Sequence, residues 1–211
     1  MKGILFIISS PSGGGKGTLI REVLRTVPNI GYSVSFTTRA IRDGEVQGKD
    51  YFFVSPEEFE KLIEAGEFLE YANVHGNFYG TSRTQVEKEI SIGRDIILEI
   101  DVQGAESIQR LIPESVGIFI LPPSYQILRD RLIRRQTESE ENLAIRLGNS
   151  KGEVQRFKEF EYIVINDEIA GATLNLQSII LAERQRRYRQ EESVRKILET
   201  FKNFKINSRG D

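Results

Sequence analysis

The sequence predicts an α/β fold, a parallel sheet covered by helices on both faces, and three observations predict it. Short, almost uniformly apolar runs rich in β-formers lie at residues 4–8, 96–100, 117–121 and 162–165, with stretches of helical period between or after them. Strands of that kind are buried on both faces, which is the habit of a parallel sheet. A glycine-rich loop follows the first run and opens a helix. The composition, 39% hydrophobic and 28% charged over 211 residues, belongs to a single globular domain and not to a disordered chain.

The first strand, residues 4–8, ends at Ser9, Ser10 and Pro11. It is too short for a signal-peptide core or for the roughly 20 residues of a membrane span, so a cytoplasmic protein without a membrane partner is expected. The loop Ser10-Pro11-Ser12-Gly13-Gly14-Gly15-Lys16-Gly17-Thr18 comes next, and Leu19, Ile20, Val23, Leu24 and Val27 then recur at helical spacing. Such a loop turns successive backbone N–H groups toward phosphate oxygens, the helix N-terminus adds its positive end, and Lys16 adds a mobile cation. Against the template G-x-x-x-x-G-K-[ST], Ser10 replaces the first glycine and Gly17 replaces the hydroxyl that contacts magnesium. Thr18 carries a hydroxyl one residue later, about 100° further round the helix.

Residues 32–81 differ in pattern, with short mixed strands at 33–37, 51–54 and 68–71. Between the last two, Ser55-Pro56-Glu57-Glu58 opens a helix with a capping box and a first-turn proline. This reads as a small subdomain inserted into the core. The run at 96–100 ends in Asp101, with Glu99 two residues earlier on the same strand face. A carboxylate at the carboxyl end of a parallel strand beside a phosphate loop lies near the sheet's ligand crevice. A second insertion, Arg-rich and helical, covers 125–157, with a capping signature at residues 137–140, and one long helix from about residue 170 to 204 ends the chain.

Composition also excludes chemistry. With 29 Lys+Arg against 31 Asp+Glu the net charge is -2, which excludes a globally basic nucleic-acid binder. Absence of cysteine excludes a disulfide framework, thiolate catalysis and Cys-ligated zinc or iron–sulfur centres, and a single histidine, His75, argues against a His-rich metal site or a Ser-His-Asp triad. His75 reads as a turn or pocket-rim residue. Residues 181–211 carry a local charge of +4, which reads as a solvated helix face.

The loop and several later runs together resemble the guanylate kinases. Ser33-Val34-Ser35-Phe36-Thr37-Thr38-Arg39-Ala40-Ile41-Arg42, Gly44-Glu45 and Gly48-Lys49-Asp50-Tyr51-Phe52-Phe53-Val54 resemble that family's GMP-binding segment. Phe68-Leu69-Glu70-Tyr71, Tyr79-Gly80-Thr81, Ile100-Asp101-Val102-Gln103-Gly104 and Ile165-Asn166-Asp167 follow in the family's order. The resemblance implies the P-loop nucleoside monophosphate kinase fold: core at 1–31, 82–124 and 158–211, a GMP-binding subdomain at 32–81 and a helical lid at 125–157. It implies transfer of the γ-phosphoryl group of ATP to GMP or dGMP, with Mg2+ and no nucleic-acid partner. Oligomeric state stays open.

The same resemblance assigns roles. Residues 10–18 and Asn166 would bind ATP, Asn166 at the adenine. Lys16, Arg131, Arg135 and Arg146 would meet the transferring group, and Thr18 and Glu99 would lie near magnesium. Glu70, helped by Asp101, would accept guanine's N1–H and amine, and Ser35 and Thr81 would lie near O6. Arg39, Arg42, Tyr51 and Tyr79 would hold the GMP phosphate. Glu99 stands where the family usually has Asp, and Gln136 where it has Gly. A guanylate-kinase-like peptide-binding scaffold and a related kinase for another phosphate acceptor are the alternatives. Lys16, Arg135 and Arg146 argue against the first; Glu70, Asp101 and Ser35 argue against the second.

Overall fold

The computed structural model describes residues 2–74, 76–134 and 140–202. In chain order, β1 (Leu5–Ser9), α1 (Lys16–Thr26) and β2 (Ile30–Tyr32) lead into β3 (Phe36–Thr37), β4 (Phe52–Phe53), α2 (Pro56–Glu64), β5 (Phe68–Val74) and β6 (Asn77–Ser82). Then come α3 (Arg83–Ser91), β7 (Asp95–Glu99), α4 (Val102–Leu111), β8 (Val116–Leu121), α5 (Tyr125–Arg134), α6 (Glu140–Gln155) and a 3-10 turn, Arg156–Glu159. The chain closes with β9 (Tyr162–Ile165), α7 (Ile169–Arg184) and α8 (Arg187–Lys202).

All five residues of β1 are buried, and it lies in the middle of a parallel sheet ordered β2-β7-β1-β8-β9. Alternation along the strand divides its side chains between two cores. Ile4, Phe6 and Ile8 pack with Leu19, Ile20 and Val23 of α1 and Leu176 and Ile180 of α7, while Leu5 and Ile7 pack with Val86 of α3 and Ala105 and Ile108 of α4. The four predicted sheet runs are therefore core strands, each within a residue of its expected limits. β2, three residues long, has no such run and is held by β7.

The segment from β3 to β6 builds a separate sheet ordered β4-β3-β6-β5. Its centre is aromatic: Phe59 of α2 is fully buried and stacks on Phe68 at 4.6 Å and on Phe78 at 5.4 Å. Gly80 permits this, because a Cβ there would come within 2.8 Å of the Phe68 ring. The predicted capping box is present: Ser55 Oγ accepts from the Glu58 N–H, and Glu58 returns a bond to the Ser55 N–H. The predicted strand at 33–37 is divided instead. Ser33 donates to Ile97 in the core sheet, and only Phe36 and Thr37 join the second one.

The single long C-terminal helix expected from sequence is two helices, broken at Gln185 and Arg186. No glycine or proline marks the break. Glu183, 2% exposed, takes the Tyr162 hydroxyl and the Arg186 guanidinium, while Arg184 reaches Asp95 and the carbonyls of Pro28 and Asn29. These bonds fix the end of α7 to the sheet edge, and the Gln190 amide caps the Arg184 carbonyl. Residues 203–204, the predicted end of that helix, His75 and the capping signature at 137–139 lie outside the described residues. Among the described residues no helix is long and apolar enough to cross a membrane.

Candidate active site

Gly15 ends the glycine-rich loop as the N-cap of α1, in the left-handed conformation at φ +88° that glycine adopts without strain. The cap has no side-chain hydrogen bond and the first turn no acidic residue, which leaves the positive helix end facing the loop. Asn166, 3% exposed at the end of β9, braces the loop from behind: its amide donates to the Gly14 carbonyl at 2.9 Å, and a Cβ on Gly15 would lie 2.4 Å from its Nδ2. Arg131 of α5 donates to the Asn166 carbonyl at 2.9 Å. Among the described residues, neither Arg131 Nη1 nor Asn166 Oδ1 has a hydrogen-bond partner although both are buried. Such atoms next to an anion-binding turn are what a bound nucleotide would satisfy.

Lys16 Nζ lies 3.7 Å from Glu99 Oε1, and Glu99 Oε2 accepts from the Tyr32 hydroxyl at 3.2 Å. Burial, then the Glu99 charge, pushes the Tyr32 phenol far above its usual range. A Cβ on Gly17 would sit 3.5 Å from Glu99 Oε1, an ordinary contact, so this position faces the Glu99 carboxylate. Thr18 Oγ1 accepts a 3.4 Å bond from Arg21. From α6, Arg146 Nε donates to Ser12 Oγ at 2.7 Å, and Glu153 accepts from the Ser12 N–H at 3.0 Å. Ser10 Oγ turns back to the Pro11 carbonyl. Arg135 lies outside the described residues.

A second cluster includes Asp101, two residues past Glu99. Glu70 of β5 and Asp101, the N-cap of α4, converge on Gly104: a Cβ there would lie 3.0 Å from Glu70 Oε2 and 3.4 Å from Asp101 Oδ1. Thr81 Oγ1 donates to Glu70 Oε1 at 2.6 Å. Burial, then the Asp101 charge, pushes the Glu70 carboxyl up to about 7, against the lowering effect of the Thr81 bond. Nearby, Arg39 pairs with Glu45 at 2.7 Å and lies over the rings of Tyr51 and Phe53. Tyr51 is 5.9 Å from Tyr79, and burial followed by the Glu99 charge raises its phenol to about 12. Burial opposes the Glu45 charge, but the bonds from Arg39 and the Arg42 N–H hold its carboxyl below the usual range. The Arg42 side chain is exposed, and the Ser35 carbonyl accepts the Phe52 N–H.

The fold thus brings together Lys16, Glu99, Arg131, Arg146 and Asn166 about the loop, Glu70, Thr81 and Asp101 in a second cluster, and Arg39, Tyr51 and Tyr79 in a third. Asn166, expected at an adenine, touches the loop itself. Three further residues belong to these clusters: Tyr32, Glu45 and Glu153. Glu153 had a local signal, since it follows Arg146 by two helical turns and shares its face, and Glu45 stands in the run Gly44-Glu45, to which the resemblance assigns no role of its own.

The family model described as guanylate kinase matches residues 2–183. The guanylate kinase of Thermotoga maritima is 45% identical over 205 residues, 97% of this chain and 99% of that one. That of Geobacter sulfurreducens is 46% identical over 196 residues, 93% and 97% of the two chains. Among solved structures, the crystal structure of guanylate kinase from Anaplasma phagocytophilum matches with a TM-score of 0.78 at 35% identity, covering 97% of each chain.

Proposed function

The chain belongs to the guanylate kinase family, and we propose that the clusters around Lys16 and Glu70 are the ATP and GMP sites of its reaction. It transfers the γ-phosphoryl group of ATP to GMP, giving ADP and GDP. The observation that carries the assignment is the pair Glu70 and Asp101 converging on Gly104, with Asp101 two residues along the chain from Glu99, whose carboxylate pairs with Lys16 at the end of the glycine-rich loop.

An ionised Glu70 accepts both guanine N1–H and the exocyclic amine, while adenine offers a lone pair at N1 and is repelled. Thr81, which holds Glu70, and Ser35 lie on the O6 side. Arg39 and Arg42 would hold the acceptor phosphate with Tyr51 and Tyr79, since guanidinium forks match phosphate oxygens. The attacking oxygen belongs to a phosphate with a second pKa of roughly 6, so near neutral pH it needs no protein base. Positioning and charge neutralisation by Lys16, Arg131, Arg135 and Arg146 then suffice, which is how one histidine can be enough. We assign residues 32–81 to a GMP-binding subdomain and 125–157 to a lid that excludes water once both nucleotides are in place. Both substrates are cytoplasmic metabolites, and we assign the reaction to that compartment.

Among the described residues no group of three or more His, Asp or Glu could hold a metal ion. The carboxylate of Glu99 and the hydroxyl of Thr18 beside the loop are oxygen donors of the kind magnesium takes when triphosphate oxygens and water complete its shell. When bound, magnesium would neutralise developing charge on the phosphates. Glu99, held by Tyr32, keeps a fixed carboxylate at that position and orients the Lys16 ammonium.

An ADP-release assay with ATP and magnesium across GMP, dGMP, AMP, CMP and UMP tests the reading. GMP and dGMP should exceed AMP by about 10^3-fold or more in kcat/KM, because the wrong base leaves buried polar groups unpaired. Equal turnover of AMP would remove Glu70 from its role. Thr18→Ala should raise the magnesium concentration needed for half-maximal rate, and an unchanged requirement would show that Thr18 does not replace the hydroxyl missing at Gly17.

A further inference from the structure

The N–H of Ser12 sits in the loop assigned to the triphosphate, yet a carboxylate already occupies it. Glu153 Oε2 accepts that N–H at 3.0 Å, from a residue 141 positions away in sequence. On the same helix Arg146 Nε donates to the Ser12 hydroxyl at 2.7 Å. The two side chains are seven residues apart, so they project from one face of α6, and Ser150 between them is 1% exposed. On other faces a Cβ at Gly148 or Gly152 would meet no atom within 4 Å. One residue of the loop is therefore gripped through its backbone by an anion and through its side chain by a cation, both from a helix of the proposed lid.

We propose that Glu153 is a positioning residue that occupies the Ser12 N–H until ATP arrives, competing with the triphosphate for that donor and coupling loop occupancy to the placement of Arg146. The competition is electrostatic as well as geometric. A carboxylate at hydrogen-bond distance from the loop repels an arriving polyphosphate, whereas Arg146 attracts it. Once phosphate oxygens enter, the carboxylate leaves, Arg146 is the side chain of the pair still on Ser12, and its guanidinium then exchanges the Ser12 hydroxyl for the phosphates from the same helix face. ATP alone then pays part of the cost of moving α6, which keeps the free enzyme from holding ATP tightly in the absence of GMP. The inference rests on the ATP assignment made above.

The test is ATP binding by calorimetry, without GMP, to the full chain and to Glu153→Gln and Glu153→Ala, with GMP binding measured in parallel. Failure of the unaltered chain to bind ATP would fall on the functional reading; the ratio between variant and unaltered chain bears on Glu153 alone. Removing the competing charge should tighten ATP about three- to tenfold, the range expected from the net worth of one typical intramolecular hydrogen bond, and leave GMP affinity within about twofold. ATP hydrolysis in the absence of GMP should rise with it. If Glu153 only holds the loop in shape, its removal loosens the loop and ATP binds more weakly. Weaker or unchanged ATP affinity overturns the proposal. A second measurement needs no substitution: saturating ATP should shift the Glu153 carboxyl-carbon resonance and the Ser12 amide resonance in the unaltered chain, and a Glu153 signal that does not move overturns the proposal equally.

Discussion

At Glu70 folding and recognition make opposite demands. Burial raises its carboxyl from 4.5 to about 7, so the folded chain holds this proton across a pH range in which the unfolded chain has released it. Stability therefore falls as pH rises from about 4.5 to about 7, by up to roughly 3 kcal/mol for a shift of this size. GMP recognition needs the ionised form and should strengthen over the upper part of the same range. Glu70→Gln keeps an acceptor for Thr81 and removes the charge. It should raise the melting temperature at pH 8 while abolishing the preference for GMP over AMP. The pH profile of GMP binding should then retain only the titration of the nucleotide's own phosphate. A variant no more stable than the parent at pH 8, or a profile that keeps its step near 7, would contradict this account.

Among the elements, α6 departs furthest from a strong helix. It carries Gly148 and Gly152 in its interior, where neither turn geometry nor close packing asks for glycine. Each costs about 1 kcal/mol relative to alanine through backbone entropy. Gly148→Ala and Gly152→Ala should each raise the melting temperature by about 2–4 °C in thermal scans of the whole chain. A helix that must move during turnover benefits from such weakness, so the stabilised double variant should show a lower kcat with little change in the KM for GMP. The opposite treatment appears in α2, whose start is fixed by Ser55, Pro56 and Glu58. Its job is to hold Phe59 in place, and Ser55→Ala should cost about 1 kcal/mol.

For the whole molecule, the relevant division is among three apolar clusters. Two lie on the faces of the parallel sheet, and the aromatic cluster of Phe36, Phe59, Phe68 and Phe78 joins α2 to the second sheet. Phe59→Ala empties a fully buried site, with a cost of about 3–5 kcal/mol. The loss should fall on the proposed GMP-binding subdomain: GMP affinity should drop at least tenfold while ATP affinity, set by the loop between β1 and α1, changes little. Equal loss of both would show that the two sheets do not behave as separate units. Glu99 is one of the links between them, paired with Lys16 and close enough to Tyr51 to raise its phenol.

The sequence by itself determined what depends on neighbours in the chain. Apolar runs gave four of the five strands of the core sheet, the glycine-rich turn gave the phosphate loop, and Ser55 with Glu58 gave a helix start, because periodicity and capping act within a few residues. The motif residues of the candidate site were legible for the same reason, as short ordered runs. Only the tertiary structure decided the strand order, the pairing of Glu70 with Asp101 at Gly104, the support of Glu99 by Tyr32 and the brace of Asn166 on Gly14. It also decided the break after α7, which sequence had left as one helix, and the grip of Glu153 on Ser12. For Glu99, Asn166, Glu153 and the break after α7 the deciding force is a buried or half-buried polar contact between residues far apart in the chain. Which partner a carboxylate or amide finds there is set by packing, since a group removed from water must be satisfied by whatever the fold places beside it.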